Sequence, residues 1–361
     1  MTERFDIAIV GAGMAGASLA ASLAGQGRVV LLEAEDRPGY HATGRSAAFW
    51  TESYGGPMIQ PLTAASGSFL REHGFLSPRG ALTIGRGSDN RAVDEFVSEF
   101  SALGVRVAWL GRVELVTHIP GLRPGWSHGA LEPSCADIDV AALHQHYIAA
   151  ARRGGADLRT RSRLTAAHRD AAGWRLDFAD GERMICDLLV NAAGAWADEV
   201  ARIAGEPPLG IAPLRRTIAQ LAVSPPAPAD LPLVLDISER FYFKPEAGAV
   251  WLSPHDETPS APCDAAPEEI DIALAIERFG EVVDWQIERV THRWAGLRSF
   301  APDRLPVYGF DPRAPRFFWF AGQGGFGIQT APAAAALAAA LLTGSGDAPV
   351  DPQPFSPQRF A

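Results

Sequence analysis

Residues 5–33, FDIAIVGAGMAGASLAASLAGQGRVVLLE, decide the fold. Phe5 to Val10 reads as a strand, Gly11 to Gly13 as a turn and Met14 to Ala24 as a helix; Gly25 and Gly27 break it before a second strand from Arg28 to Glu33. That is a βαβ unit. Its glycines have separate reasons: Gly11 allows the tight turn, Gly13 lets the backbone approach a pyrophosphate, and Gly16 lets helix and strand pack closely. The helix N-terminus favours phosphate charge. Glu33, about 20 residues past the first glycine, would accept hydrogen bonds from ribose hydroxyls. Strand, glycines, helix and acid fall in register, which points to a bound dinucleotide without saying which one.

Further on, HATGRSAA at 41–48 is a polar, glycine-rich segment after the second strand, with a helix expected near Ser46. A strand is expected at Ala81 to Ile84 and a helix from Arg91 to Leu103, ended by Gly104. Asp139 should cap a helix from Val140 to Arg153, and Asp180-Gly181 should turn a hairpin between Trp174–Phe178 and Glu182–Cys186. The buried strand Asp187 to Asn191 opens onto Ala192-Ala193-Gly194. Arg216 to Ser253 is strand-rich, with Pro/Ala loops at 224–232 and 254–267. The last quarter repeats strand, glycine loop and helix: Phe317 to Ala321, Gly322 to Gly327, then Pro332 to Leu342 closed by Gly344.

Composition narrows the partner. Against 32 basic residues stand 42 acidic ones, a net charge of −10, which argues against nucleic acid or an anionic membrane surface and for a small molecule. Cys135, Cys186 and Cys263 are too scattered for a disulfide framework or a metal site, so a reducing cytoplasm is expected. The apolar run Ala333 to Leu342 is too short to span a bilayer, and the N-terminus lacks a basic stretch and a cleavage site. Lys244 is the sole lysine, so any Schiff-base chemistry would rest on it.

Longer motifs carry a resemblance. GAGMAG at 11–16, GYHATGRSAA at 39–48, ADID at 136–139, LVNAAGAW at 189–196, FYFKP at 241–245, WAGLRSF at 294–300 and QGGFGIQT at 323–330 make the chain similar, nearly end to end, to the D-amino acid oxidase and glycine oxidase superfamily of FAD-dependent oxidoreductases. Within it the chain looks closest to bacterial D-arginine dehydrogenases. The fold this implies is α/β: a discontinuous Rossmann-like FAD-binding domain (residues 1–77, 137–208 and 294–361) with an inserted mixed-sheet substrate-binding domain (78–136 and 209–293).

The resemblance also implies site residues. The cofactor would be held by Gly11, Gly13, Met14, Ala15, Gly16, Glu33 and Ala34; by Thr43, Gly44, Arg45, Ser46 and Ala47; by the backbone of Leu164; by Ala193, Gly194 and Trp196; and by Gly322, Gly324, Gly325, Phe326, Gly327, Ile328, Gln329 and Thr330. Physically, the loop before the last helix offers N–H groups to negative charge developing on the flavin. Arg298, Arg216 and Tyr242 match carboxylate-binding positions, and Tyr54 an aromatic that closes the substrate side. Phe49, Ala81, Leu233, Leu235 and Gly325 would line the substrate pocket. Two departures matter: Ala81 stands where the arginine enzyme places a glutamate, and Phe49 where it has a histidine.

The activity this implies is hydride transfer from the α carbon of a D-amino acid with a neutral or apolar side chain, giving an imino acid and then a 2-oxo acid and ammonia. Electrons would leave to a quinone or oxygen. Oxidation of a secondary amine such as glycine, sarcosine or proline, or of a 2-hydroxy acid, would keep the same motifs, and a flavin-binding protein without turnover is the reading from another class. No Cys or His sits in a flavin-attachment motif, so denaturation is expected to release FAD into the supernatant; flavin remaining with the precipitate, or FMN released, refutes non-covalent FAD.

Overall fold

A computed structural model describes residues 2–361. The first sheet is built around strand Glu3–Val10, parallel on one side to Val29–Leu32 and on the other to Arg183–Asn191. Asp157–Arg159 extends it in parallel beyond Val29–Leu32, and the antiparallel strands Gly173–Phe178 and Leu164–Asp170 extend the other edge. The far half of Arg183–Asn191 instead takes Ala314–Ala321 as a parallel neighbour, which pairs in turn with Val307–Asp311. Parallel strands buried on both faces are apolar throughout, and all four residues of Val29–Leu32 are buried. Alternate residues serve opposite cores. Ile9, Leu31, Val190 and Phe318 meet the Ala-rich helices Met14–Ser22 and Ala331–Thr343, while Ala8, Val30, Leu189 and Phe317 meet the hairpin and helix Ala197–Ile203.

The second sheet has ten strands and is mixed, since Leu233–Asp236 lies parallel to Ala81–Arg86 while its other pairings are antiparallel. Helix Glu269–Val282 covers one face, its Ile272, Ala275, Phe279 and Val282 recurring at helical spacing. The period of two then decides which residues face away from that helix. Phe241 and Phe243 join the helix-covered core, whereas Tyr242 between them joins Ala47, Phe49, Ala81, Ile218 and Leu233 on the opposite side.

The expected elements of the first sheet form within a few residues of their expected ends, and Asp139 does cap helix Val140–Arg153 by accepting from the Ala142 N–H at 2.9 Å. One expectation fails. No helix starts near Ser46: a single 3₁₀ turn, Thr43–Arg45, leads into strand Phe49–Trp50, which pairs with Ala136–Ile138 while Trp50 Nε1 donates to the Thr63 carbonyl. Long-range pairing overrides the local pattern of small residues. Lys244 is buried between Asp137 (2.7 Å) and Glu246 (3.0 Å), an ion-paired structural residue rather than a free amine. Strand Gln286–Phe300 passes residue 294 without interruption.

The glycine turn packs backbone on backbone. A Cβ at Gly11, whose φ is +103°, would stand 2.5 Å from the Ala192 carbonyl oxygen, and one at Gly16 would stand 1.8 Å from that of Gly11. Gly16→Ala is therefore expected to destabilise the fold by about 1–3 kcal/mol or more, measured by denaturant unfolding; wild-type stability would refute this packing.

Candidate active site

At the carboxyl ends of the parallel strands lies a cleft of about 240 Å³, where open α/β sheets bind their ligands. Gly11, Gly13, Met14 and Ala15 form one edge and Glu33 and Ala34 lie beyond them. The Glu33 carboxylate accepts from the Ala12 (3.1 Å) and Glu35 (3.0 Å) N–H groups, which orients it at the wall. Thr43 Oγ1 accepts from the Met14 N–H at 2.9 Å and ties the following loop to the helix N-terminus. Thr43, Arg45, Ser46 and Leu164 line the cleft, as do Ala193, Gly194 and Trp196, and Gly324, Gly325, Gly327 and Ile328 close its far end.

Other expected cofactor residues support these walls instead of lining them. Gly16 packs helix on turn, and Gly44 donates to the Gly39 carbonyl. Gly322 (φ +74°) turns the chain out of its strand, Phe326 packs on Tyr54 and Phe300, and Thr330 Oγ1 bonds the Phe326 carbonyl. Ala47 and Gln329 line a second, smaller cavity.

The cleft suits a dinucleotide on the structure's own terms. Gly194 (φ +56°) has nothing within 4 Å of where a Cβ would stand, so a side chain there would project into the groove. His41, on the cleft wall, has its Nε2 3.1 Å from Glu35 and a buried Nδ1 with no partner among the described residues. The loop at 260–265 forms the opposite wall: Arg45 donates to the Ala265 carbonyl at 2.7 Å and pairs with Asp264, which also accepts from Tyr40 at 3.2 Å. These contacts hold the Asp264 carboxyl below its ordinary range, chiefly through the Arg45 hydrogen bond.

The small cavity, about 20 Å³, is bounded by Ser46, Ala47, Phe49, Tyr54, Arg216, Tyr242, Arg298 and Gly325. Phe49 stands edge-on to Tyr54 (5.2 Å) and Tyr242 (5.9 Å). A Cβ at Gly325 would lie 2.5 Å from Tyr54 Oη, so any side chain there would have to displace the phenol. Arg216 is buried and committed: Nε donates to the Asp256 carbonyl at 2.8 Å and Nη2 to Glu257 at 3.1 Å. Arg298 differs. It is 9% exposed, lines both cavities and has no hydrogen-bonding or ion-pairing partner among the described residues. Burial, with Arg216 nearby, pulls its guanidinium below the ordinary arginine range, and burial raises the Tyr242 phenol.

The expected pocket residues Ala81, Leu233 and Leu235 do not line either cavity; they pack in the apolar cluster behind Phe49 and Tyr242. Alternation along paired strands puts them there, and Ala81 pairs with Glu132. The buried Glu132 carboxylate accepts from Thr51 Oγ1 (2.6 Å), Ser53 Oγ (2.6 Å) and the Glu52 N–H (2.8 Å), fixing the loop that carries Tyr54. Glu52 faces Gln60 and lines neither cavity. Sequence reasoning missed His255, Asp256 and Glu257, which lie at the start of a Pro/Ala loop with no motif to mark them.

A family model described as FAD dependent oxidoreductase (DAO) matches residues 6–341. The chain belongs to this DAO family of FAD-dependent oxidoreductases. It is 26% identical to the hydrogen cyanide synthase subunit HcnC of Pseudomonas aeruginosa over 100% of the chain and 97% of that protein, and 27% identical to the glycine oxidase of the same organism over 68% of the chain and 66% of that enzyme. Its fold matches the crystal structure of glycine oxidase from Geobacillus kaustophilus with a TM-score of 0.85, at 22% identity and 98% coverage of both chains. DAO enzymes work with FAD, and the cleft is where this chain would hold it: the fingerprint turn on the ADP half, and Ser46, Gly325 and Ile328, which line both cavities, toward the reacting end. No described helix is long and apolar enough to cross a membrane.

Cys135 and Cys186 are buried, whereas Cys263 is exposed and lines the cleft. Maleimide is therefore expected to label apoprotein at Cys263 and to label FAD-loaded protein several-fold more slowly, read by mass spectrometry; equal rates would place FAD elsewhere.

Proposed function

We propose that the chain oxidises the Cα–N bond of a small D-amino acid with a neutral or apolar side chain, releasing an imino acid that hydrolyses to a 2-oxo acid and ammonia. The observation that carries this is Arg298, a buried guanidinium without a counter-ion at the junction of the two cavities. A buried cation costs several kcal/mol unless paired, so the site favours a ligand carboxylate. FAD, when bound, supplies the acceptor for the α-hydrogen's electron pair. The protein's part is to bind and orient: Arg298 holds the carboxylate, Tyr54 and Tyr242 wall the substrate, and Phe49 excludes water.

Side-chain preference follows from the lining. The small cavity has no carboxylate among its residues, so a basic side chain would go unpaired. Its small volume favours a second reading, a compact amine such as glycine or sarcosine. We further propose that the segments of the first sheet form the FAD-binding half and those of the second the substrate half, that electrons leave to a quinone or oxygen, and that the protein works in the cytoplasm.

Arg298→Met is expected to retain FAD and raise the apparent KM for an amino acid roughly 30-fold or more, as losing one partner of a desolvated charge pair costs about 2–5 kcal/mol. Unchanged kinetics would remove Arg298 from the site. Anaerobic bleaching of the flavin should be faster with D-Leu or glycine than with D-Arg; a preference for D-Arg refutes the side-chain reading, and bleaching by L-amino acids alone refutes the D configuration.

A further inference from the structure

His255 lines neither cavity, yet its ring stands against two residues that bound the small one, Tyr54 and Tyr242. Its ring stands edge-on to Tyr242 at 5.7 Å and tilted against Tyr54 at 6.5 Å. Nδ1 lies 2.6 Å from the Glu239 carbonyl, which can only accept, so Nδ1 carries the proton and Nε2 the lone pair. The backbone is equally constrained. His255 has φ +55°, a conformation uncommon outside glycine, and its N–H donates to Ser253 Oγ at 3.1 Å.

The next two residues complete a brace. Asp256 accepts from the Thr217 N–H at 2.7 Å and Oγ1 at 2.8 Å while its carbonyl takes Arg216 Nε, and Glu257 takes Arg216 Nη2 and also pairs with Arg304. Three consecutive residues thus hold two phenols and one of the two buried guanidiniums. Burial and the Arg216 charge push the His255 imidazole down to about 3, so it adds no third cation beside them.

We propose that His255 is a positioning residue for substrate-carboxylate binding: wedged against Tyr54 and Tyr242 and anchored to Glu239, it sets the two phenols, while Asp256 and Glu257 commit Arg216 to the protein and leave Arg298 as the anion site. This rests on the Arg298 reading above. Strain at position 255 persists because these contacts over-determine it.

The test uses FAD-loaded protein and a carboxylate that cannot react, acetate or benzoate, titrated against the visible flavin spectrum. His255→Asn tolerates the left-handed backbone and can donate to the Glu239 carbonyl but lacks the ring; His255→Phe restores a ring and loses the donor. In both variants FAD content is expected to stay as in wild type. In His255→Asn the carboxylate Kd and the amino-acid KM should rise about tenfold with kcat within about threefold, the signature of lost binding rather than lost chemistry. His255→Phe should fall between Asn and wild type. FAD-replete His255→Asn with wild-type Kd overturns the inference, even where Arg298→Met abolishes the spectral change. A wild-type protein that binds no carboxylate overturns the Arg298 reading and this inference with it.

Discussion

Backbone lying directly on backbone at the ends of two adjacent strands is the constraint on which the rest depends. Position 11 faces the Ala192 carbonyl too closely for any side chain, and position 16 faces the carbonyl of residue 11 in the same way. These approaches bring the fingerprint helix, the loop after Asn191 and the Thr43 segment together, so backbone and small residues such as Gly11, Gly13, Ala192, Ala193 and Gly194 make up that side of the cleft. A ligand long enough to cross several strand ends can then lie flat against N–H groups. The second sheet need only close over it, which it does through Gln323–Gly324 pairing with Ser299 and Phe300, next to Arg298.

Charge is distributed unevenly across that closure. Arg45 and Arg216 each have an acidic partner, and Arg215 and Lys244 have two apiece. Arg298 has none among the described residues, and Phe49, Tyr54 and Tyr242 share the small cavity with it. An uncompensated buried charge lowers the stability of the fold and raises affinity for the ion that completes it. On the function proposed for it, paired arginines beside an unpaired one would make the cavity selective, because one anionic group would be accommodated with a defined orientation.

Much of the fold was legible because its signals are local. The βαβ unit, the capped helix after Asp139 and the final strand, loop and helix declare themselves through glycine placement and hydrophobic period. Strand Phe49–Trp50 did not, since small residues before it read as a helix start and only pairing with Ala136–Ile138 makes it a strand. Helix Glu269–Val282 carried a readable period in Ile272, Ala275, Phe279 and Val282, but it follows directly on a Pro/Ala loop and has no side-chain cap to mark its start. In the site, Arg298, Tyr242, Arg216 and Tyr54 do converge with Phe49 and Gly325. Ala81, Leu233 and Leu235 do not, because which face of a strand meets a cavity depends on register set by partners far away in sequence. His255 was invisible for a related reason: its importance lies in a left-handed backbone and in neighbours from Tyr54 to Tyr242, neither of which leaves a trace in its own segment.

The tie from Arg45 to Asp264 and Ala265 bears on the order of assembly. The wall it makes comes from residues near 264, and the far end of the groove from residues near 325, whereas the fingerprint lies at 11–16. A chain growing from its N-terminus has the phosphate-binding turn long before it has anything to enclose a ligand. If FAD lies in this cleft, its capture would be a late event that needs nearly the whole polypeptide, and a nascent or shortened chain would hold a dinucleotide by one edge only.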